Sequence, residues 1–259
     1  MLKISKEQME VFEQASLQSY EDRMVEHLRN FAPRHFKILT EDEIRQVIRH
    51  GMERGRSQRF TSERSLRIYT ELMLMLGSGF DADPQLPWAA EMLNDEAVVD
   101  EAARINRLQQ KAGDYVEQVV PDFGDVEGAV DPGRFVEQIR QLRQEREDSL
   151  DAAAVPQFYQ RAVMRLNLTF PRKCEYIGEL SLRRLINRAI ECAKGYGITT
   201  ERGIAFFVVM MFVLGSGFDQ DPQLPWVSAI LGDQSVTDQN EKVDRLFAGA
   251  IDCLKRWWA

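Results

Sequence analysis

Apolar residues recur every three to five positions along most of the chain, and nowhere do they alternate long enough to make a convincing strand. Residues 6–31 carry Met9, Phe12, Leu17, Tyr20, Met24, Leu28 and Phe31 with charge between them, the pattern of an amphipathic helix. Pro33 stops it, because proline cannot continue the helical hydrogen-bond ladder. Thr40 with Glu43 three residues on is a capping box, and it opens a second helix with Ile44, Val47, Ile48 and Met52 as its buried stripe. Thr61 is expected to open a third helix, with Glu63 near its positive end. That helix runs through Leu66, Tyr69, Leu72, Met73 and Leu76 to Gly77, a C-terminal stop. A short helix follows at 87–94, with Pro87 at a first helical position, and a longer one at 97–119.

The same order returns later. Gly77-Ser78-Gly79-Phe80-Asp81-Ala82-Asp83-Pro84-Gln85-Leu86-Pro87-Trp88 recurs from Gly215 to Trp226 with 11 of 12 positions identical, at an offset of 138. Aligning 20–95 on 158–233 without gaps gives 27 identities in 76 positions, 16 of them outside the block. A period this long exceeds the roughly 20–50 residues of solenoid repeats. It implies an all-α protein of two homologous helical domains, an internal duplication forming a pseudo-two-fold assembly. The expected units are 1–119 and 133–259, joined by a Gly-, Pro- and Asp-rich linker over 120–132. Helices are expected in the second unit at 133–154, 156–169, 180–195, 199–214, 225–231 and 236–258, with Pro156 breaking or kinking the first. Residues 204–214 are apolar all round and belong at the centre of a core, whereas Arg67, Thr70 and Glu71 give the matching helix a wet face.

Charge and composition narrow the class. The chain has 33 basic and 41 acidic residues, a net −8, and no dense Lys/Arg run, which speaks against a nucleic-acid partner. The longest apolar run, 204–214, is short of the roughly 20 residues of a membrane span. The N-terminus turns polar at once and shows no signal-peptide core, so a cytoplasmic location is expected. Cys174, Cys192 and Cys253 are too widely spaced for a zinc site and read as buried or incidental thiols.

The repeated block has three readings. In the first it is structural: Gly77 and Gly79 permit positive φ, Asp83 before Pro84 is held extended, and Asp81 and Asp83 bond local N–H groups and cap the next helix. Phe80 and Trp88 then pin the corner to the core. In the second, the Trp beside a rigid Pro-rich turn anchors a partner. In the third, the aspartate pairs Asp81/Asp83 and Asp219/Asp221 hold a cation or a basic group. A calcium loop would need Gly at its sixth place and Glu at its twelfth, where this chain has Leu86 and Met92. The candidate binding residues are therefore Phe80, Asp81, Asp83, Trp88, Phe218, Asp219, Asp221 and Trp226. To these are added Trp257 and Trp258, adjacent indoles that project differently from one helix. His27, His35 and His50 occur only in the first unit, and no nucleophile, phosphate-loop or zinc-protease motif is present. No catalytic residue, metal or cofactor is expected.

The segment Gly197-Ile198-Thr199-Thr200-Glu201-Arg202, an apolar helix, and then Leu-Gly-Ser-Gly-Phe-Asp-x-Asp-Pro-Gln-Leu-Pro-Trp resembles a helical unit of bacterial accessory proteins encoded beside type VI secretion effectors. Tyr20 to Leu39, with Arg23-Met24-Val25-Glu26-His27-Leu28-Arg29, resembles the start of the same unit. The resemblance implies a non-enzymatic protein-binding role, as a chaperone or adaptor that loads an effector, or as an immunity protein that neutralises a toxin. The partner would be an effector, toxin or loading chaperone, with neither nucleic acid nor membrane involved. A metal-dependent enzyme using the Asp-x-Asp-Pro corner is the reading from a different class.

Overall fold

A computed structural model describes residues 6–119, 132–144 and 148–258. The expected linker, apart from Pro132, lies outside them, as do Glu145, Arg146, Glu147 and the Trp258 side chain. The protein is all-α. In chain order the first half carries α1 (Lys6–Phe31), α2 (His35–Ile38), α3 (Glu41–Ser57), α4 (Glu63–Leu76), α5 (Pro87–Leu93) and α6 (Glu101–Val119). The second carries α7 (Pro132–Arg143), α8 (Val155–Thr169), α9 (Pro171–Gly195), α10 (Glu201–Leu214), α11 (Pro225–Gly232) and α12 (Gln239–Trp258). Among the described residues the only β-type pairing is one isolated antiparallel bridge, Ser149 with Thr200. No described helix is long and apolar enough to cross a membrane.

Local chemistry explains most boundaries. Thr40 and Glu43 form the complete capping box, each satisfying the other's free N–H. The third helix starts one residue later than expected. Ser62 is its cap, bonding the Ser65 N–H, and Thr200 does the same for Gly203 at the matching place. Thr61 instead gives its N–H and hydroxyl to Glu101 across the loop. Glu101 also takes the N–H and hydroxyl of Ser62. Burial opposes ionisation of this carboxyl, but the donors from Ser62, Ser65 and Thr61 hold it down to about 2. Gln239 receives the Thr199 N–H and hydroxyl in the second half.

Three helix expectations need correction. The segment 133–154 is not one helix, because α7 ends at Arg143 and the chain runs non-helically from 148 to 154. Pro156 opens α8 instead of breaking its predecessor, since a first-turn proline loses no ladder bond. The helix expected at 180–195 begins at Pro171, but is interrupted at Gly178, whose φ of 74° only glycine adopts readily.

Each half has its own core. The first gathers Leu28, Ile48, Tyr69, Phe80 and Ile105, and the second gathers Phe170, Ile186, Phe206, Phe207, Phe218 and Phe247. α10 is buried from Arg202 to Phe212, as its continuous apolar sequence predicts. The expected wet face of α4 is reduced to Arg67, whose side chain is 41% exposed. Thr70 is wholly buried, bonding the Leu66 carbonyl and packing on Gly51, and buried Glu71 pairs with His27 at 2.6 Å. Those polar groups are tolerated inside because they have partners.

The halves pack on each other reciprocally. α6 of the first lies against α9 of the second, and α12 of the second lies against α2 of the first. Tyr176 of α9 packs onto both cores.

Candidate functional site

The repeated block lies where the halves meet, and each copy contacts the other. Gly77 ends α4 with φ 92° and Gly215 ends α10 with φ 99°, and the two backbones pass at close range. A Cβ added at Gly77 would stand 2.5 Å from the Leu214 carbonyl oxygen, so only glycine fits. Gly79 has an ordinary φ of −101° and needs no such exemption, contrary to the sequence expectation.

Once the backbones are this close, the carboxylates reach across. Asp221 accepts the Ser78 N–H at 2.8 Å and the Ser78 hydroxyl at 2.6 Å. Asp83 accepts the Ser216 N–H at 2.7 Å. Each also takes a local N–H, Asp83 from Gln85 and Asp221 from Gln223. Gln85 donates to the Met211 carbonyl and Gln223 to the Met73 carbonyl, both at 2.9 Å. These carbonyls, in the last turns of α10 and α4, already accept the N–H of Gly215 and Gly77, and the glutamine amides use their second lone pairs. Burial raises the pKa of both Asp83 and Asp221, and the donated hydrogen bonds oppose that shift. Neither caps the following helix; α5 and α11 begin without a side-chain cap.

The other pair of aspartates turns inward. Buried Asp81 is paired with Arg54 and accepts from Gln58 at 3.1 Å and the Tyr69 hydroxyl at 2.8 Å. Burial and the adjacent carboxylate push the Tyr69 pKa strongly up. Cys192, Tyr196 and Phe207 stand at the matching places. Asp219 accepts the Tyr196 hydroxyl at 2.9 Å, and burial together with Asp219 pushes the Cys192 thiol up to about 12. Such a thiol stays protonated and is a poor nucleophile at neutral pH.

His35 and Lys173, also 138 residues apart, both lie buried at the joint. The Oε1 of Gln223 is 3.0 Å from His35 Nε2, and since its amide nitrogen is donating elsewhere, the histidine donates here. Burial lowers the His35 pKa and favours the neutral ring. Lys173 donates to the Phe212 carbonyl and lies 4.5 Å from the centre of the Phe212 ring. Its burial brings the pKa down to about 8, with Asp83 acting in the opposite direction.

A cavity flanks each side of the joint. The larger, about 290 Å³, is lined by His35, Trp226, Cys253, Leu254 and Trp257, with Asp221 and Gln223 at its polar end. Trp257 packs edge-on against His35 with ring centres 4.6 Å apart. The other, about 180 Å³, has Lys173, Tyr115, Val116 and Val119 at the corresponding positions.

The nominated residues therefore fall into groups. Phe80, Phe218 and Trp88 are core, Asp81 and Asp219 anchor the corners within their own halves, and Asp83 and Asp221 bridge the halves. Half-buried Trp226 and Trp257 share the wall of the larger cavity. Ser78, Gln85, His35, Lys173 and Arg54 were not nominated. Ser78 and Gln85 could have been found as invariant polar members of the repeat, but His35 and Lys173 differ in type and leave no such trace. Among the described residues no three His, Cys, Asp or Glu side chains form a metal-ligating group.

Fold and joint together define an all-α protein whose recurring corner motif binds its own second copy. No protein-family model, curated protein or solved structure matches the chain.

Proposed function

We propose that the protein is a non-enzymatic accessory factor that binds another protein, as a chaperone or adaptor of a secreted effector of the type VI kind. The observation that carries the reading is a set of exposed apolar side chains on α8 and α9 that has no apolar counterpart at the matching places of the first half, although Phe12, Phe31 and Val99 are exposed elsewhere in that half. Met164 and Leu168 stand one turn apart on α8, and Leu180 lies on the adjoining α9; they are 60%, 71% and 62% exposed. At the matching places the first half carries exposed Glu26, Asn30 and Asp42. Apolar side chains left in water where the other copy is polar are the usual mark of a protein-contact surface. The sequence resemblance adds the secretion context. The two halves are read as products of an internal duplication, with one copy's outer face adapted to a partner.

Co-purification with the products of flanking genes tests this. An effector or its loading chaperone should bind, and the Met164→Glu/Leu168→Glu variant should lose that binding while keeping its helical circular dichroism. If no flanking product binds at micromolar concentration, the reading fails. The immunity role draws support from the net charge of −8, which would speed encounter with a basic toxin. Expressing the protein alone should then protect a cell from the neighbouring toxin. An enzyme built on the aspartate corners is the least supported reading, because Asp81, Asp83 and Asp221 already accept hydrogen bonds from the protein's own donors.

A further inference from the structure

The two cavities flanking the joint occupy matching places, yet their linings differ: Trp257 of the larger stands where the smaller has Val119, and at one other place the exchange runs the opposite way. Tyr115 in the smaller stands where the larger has Cys253, so a bulky ring has been replaced by a thiol. Tyr115 is backed by Tyr176, ring centres 5.2 Å apart, and Tyr176 stands where the first half has Ile38. Tyr115 and Tyr176 thus take up space on the second side, while the first keeps the larger volume, about 290 against 180 Å³, beside its own Trp226 and Trp257. At about 290 Å³ the larger cavity is near the lower end of ligand sites, roughly 300–1,000 Å³. It is also about twice the roughly 150 Å³ apolar cavity known to take benzene.

The rims differ as well. Arg34 lines the larger cavity and is exposed, which places it at the mouth. α2 and the end of α12 meet there, because Arg256 donates to the Lys37 carbonyl at 3.1 Å. Lys37 of α2 and Lys255 and Arg256 in the last turn of α12 are exposed too, so the two helix ends that meet beside Arg34 carry four basic residues, with Asp252 4.0 Å from Arg256. At the matching positions the other side carries Arg172, Glu175, Glu117 and Gln118. In a chain of net charge −8, a basic group beside an apolar cavity is a departure from the background. Cationic side chains beside the mouth favour an anionic head, and arginine binds a carboxylate through two parallel N–H groups.

We propose that the larger cavity is a binding site for a small amphiphile, with an apolar body of about two aromatic rings or an alkyl chain of like volume and a single anionic head. The body lies against Trp226, Leu254 and Trp257, and the head meets Arg34 at the mouth. The site is independent of the protein-partner reading and stands or falls without it.

Isothermal titration calorimetry of the full chain with octanoate and 2-naphthoate tests the site, with octyltrimethylammonium and octanol as head-group controls. One octanoate or naphthoate should bind per chain and perturb tryptophan emission, because two of the tryptophans form the wall. Cys253→Tyr installs the residue of the smaller side and should abolish binding at unchanged helical content and melting temperature. Arg34→Glu/Lys255→Glu changes only exposed side chains. It should weaken the carboxylate probes by about tenfold, the loss of a charge-assisted contact, and leave octanol binding unaltered. Equal affinity for the ammonium probe would overturn the anionic head. Absence of binding by both carboxylates at millimolar concentration, or full binding by a folded Cys253→Tyr variant, would overturn the site.

Discussion

Asp221 and Ser78 lie 143 residues apart in sequence, and their hydrogen bonds tie one half to the other at a buried site. The strength of that tie follows from its chemistry. The Ser78 hydroxyl donates to the Asp221 carboxyl at 2.6 Å, both of whose oxygens face donors, and hydrogen bonds to a charged acceptor contribute about 1.5–3 kcal/mol each. Asp221→Asn keeps the shape but exchanges an acceptor for a donor, setting an amide N–H against either the Ser78 hydroxyl or its backbone N–H. Ser78→Ala removes the hydroxyl alone. Urea unfolding of the wild type, both single variants and the double variant yields a coupling free energy, expected at about 1.5–3 kcal/mol. The other side of the joint supplies the control. Asp83 takes the backbone N–H of Ser216 at 2.7 Å, which Ser216→Ala preserves. The Ser216→Ala/Asp83→Asn cycle should therefore couple by less than about 0.5 kcal/mol, the usual range of additivity. Coupling that small in the Ser78–Asp221 cycle would refute the assignment of this hydroxyl as a bridge between the halves.

Three further outcomes are expected. Gly77→Ala combines the strain of a φ 92°, ψ 150° backbone, about 1–3 kcal/mol, with overpacking of about 1–3 kcal/mol against the Leu214 carbonyl, and should lower stability in urea by their sum. Gly79→Ala, whose Cβ would meet its nearest neighbours at 3.8 Å, should change it little. Arg59 has a φ of 63° where the other half has Gly197 at 76°, so Arg59→Gly should raise stability by about 0.5–1 kcal/mol in the same assay. Lys173, lowered from 10.5 to about 8, is bound by fewer protons in the folded than the unfolded protein between those values, so its contribution to stability rises with pH across that window. The stability difference between wild type and Lys173→Met should shift toward wild type by roughly 3 kcal/mol from pH 8 to 10.5. Parallel pH curves would show that Lys173 is not held in this way.

Some of this was readable from the sequence and some was not, for physical reasons. The Thr40 capping box and the fully apolar α10 are local signals, since cap and periodicity act within a turn or two. Thr70 and Glu71 misled because polarity was taken for exposure. Thr70 bonds the Leu66 carbonyl one turn back in its own helix, whereas His27, the partner of Glu71, reaches it from α1 only after the helices have packed. Pro156 misled because proline has opposite meanings in the interior and the first turn of a helix. The corner motif was legible as a turn, with Gly77 left-handed and Asp83 extended before Pro84. Its cross-contacts were not, because nothing in a linear spacing of 138 says that the two copies touch. The near-identity of the block, 11 of 12 against 16 of 64 aligned positions elsewhere, makes sense from the geometry. A segment that must fit its own copy cannot change on one side without a matching change on the other.

A surface that is complementary to itself does not record which molecule the second copy belongs to. The Gly77 and Gly215 corners, with Asp83 and Asp221 crossing between them, form an isologous contact enclosed within a single polypeptide. The same bonds are available to a neighbouring molecule whose halves have come apart. Concentrated or partly unfolded samples of this protein are therefore poised for domain exchange, in which each half closes on the corner of a different chain.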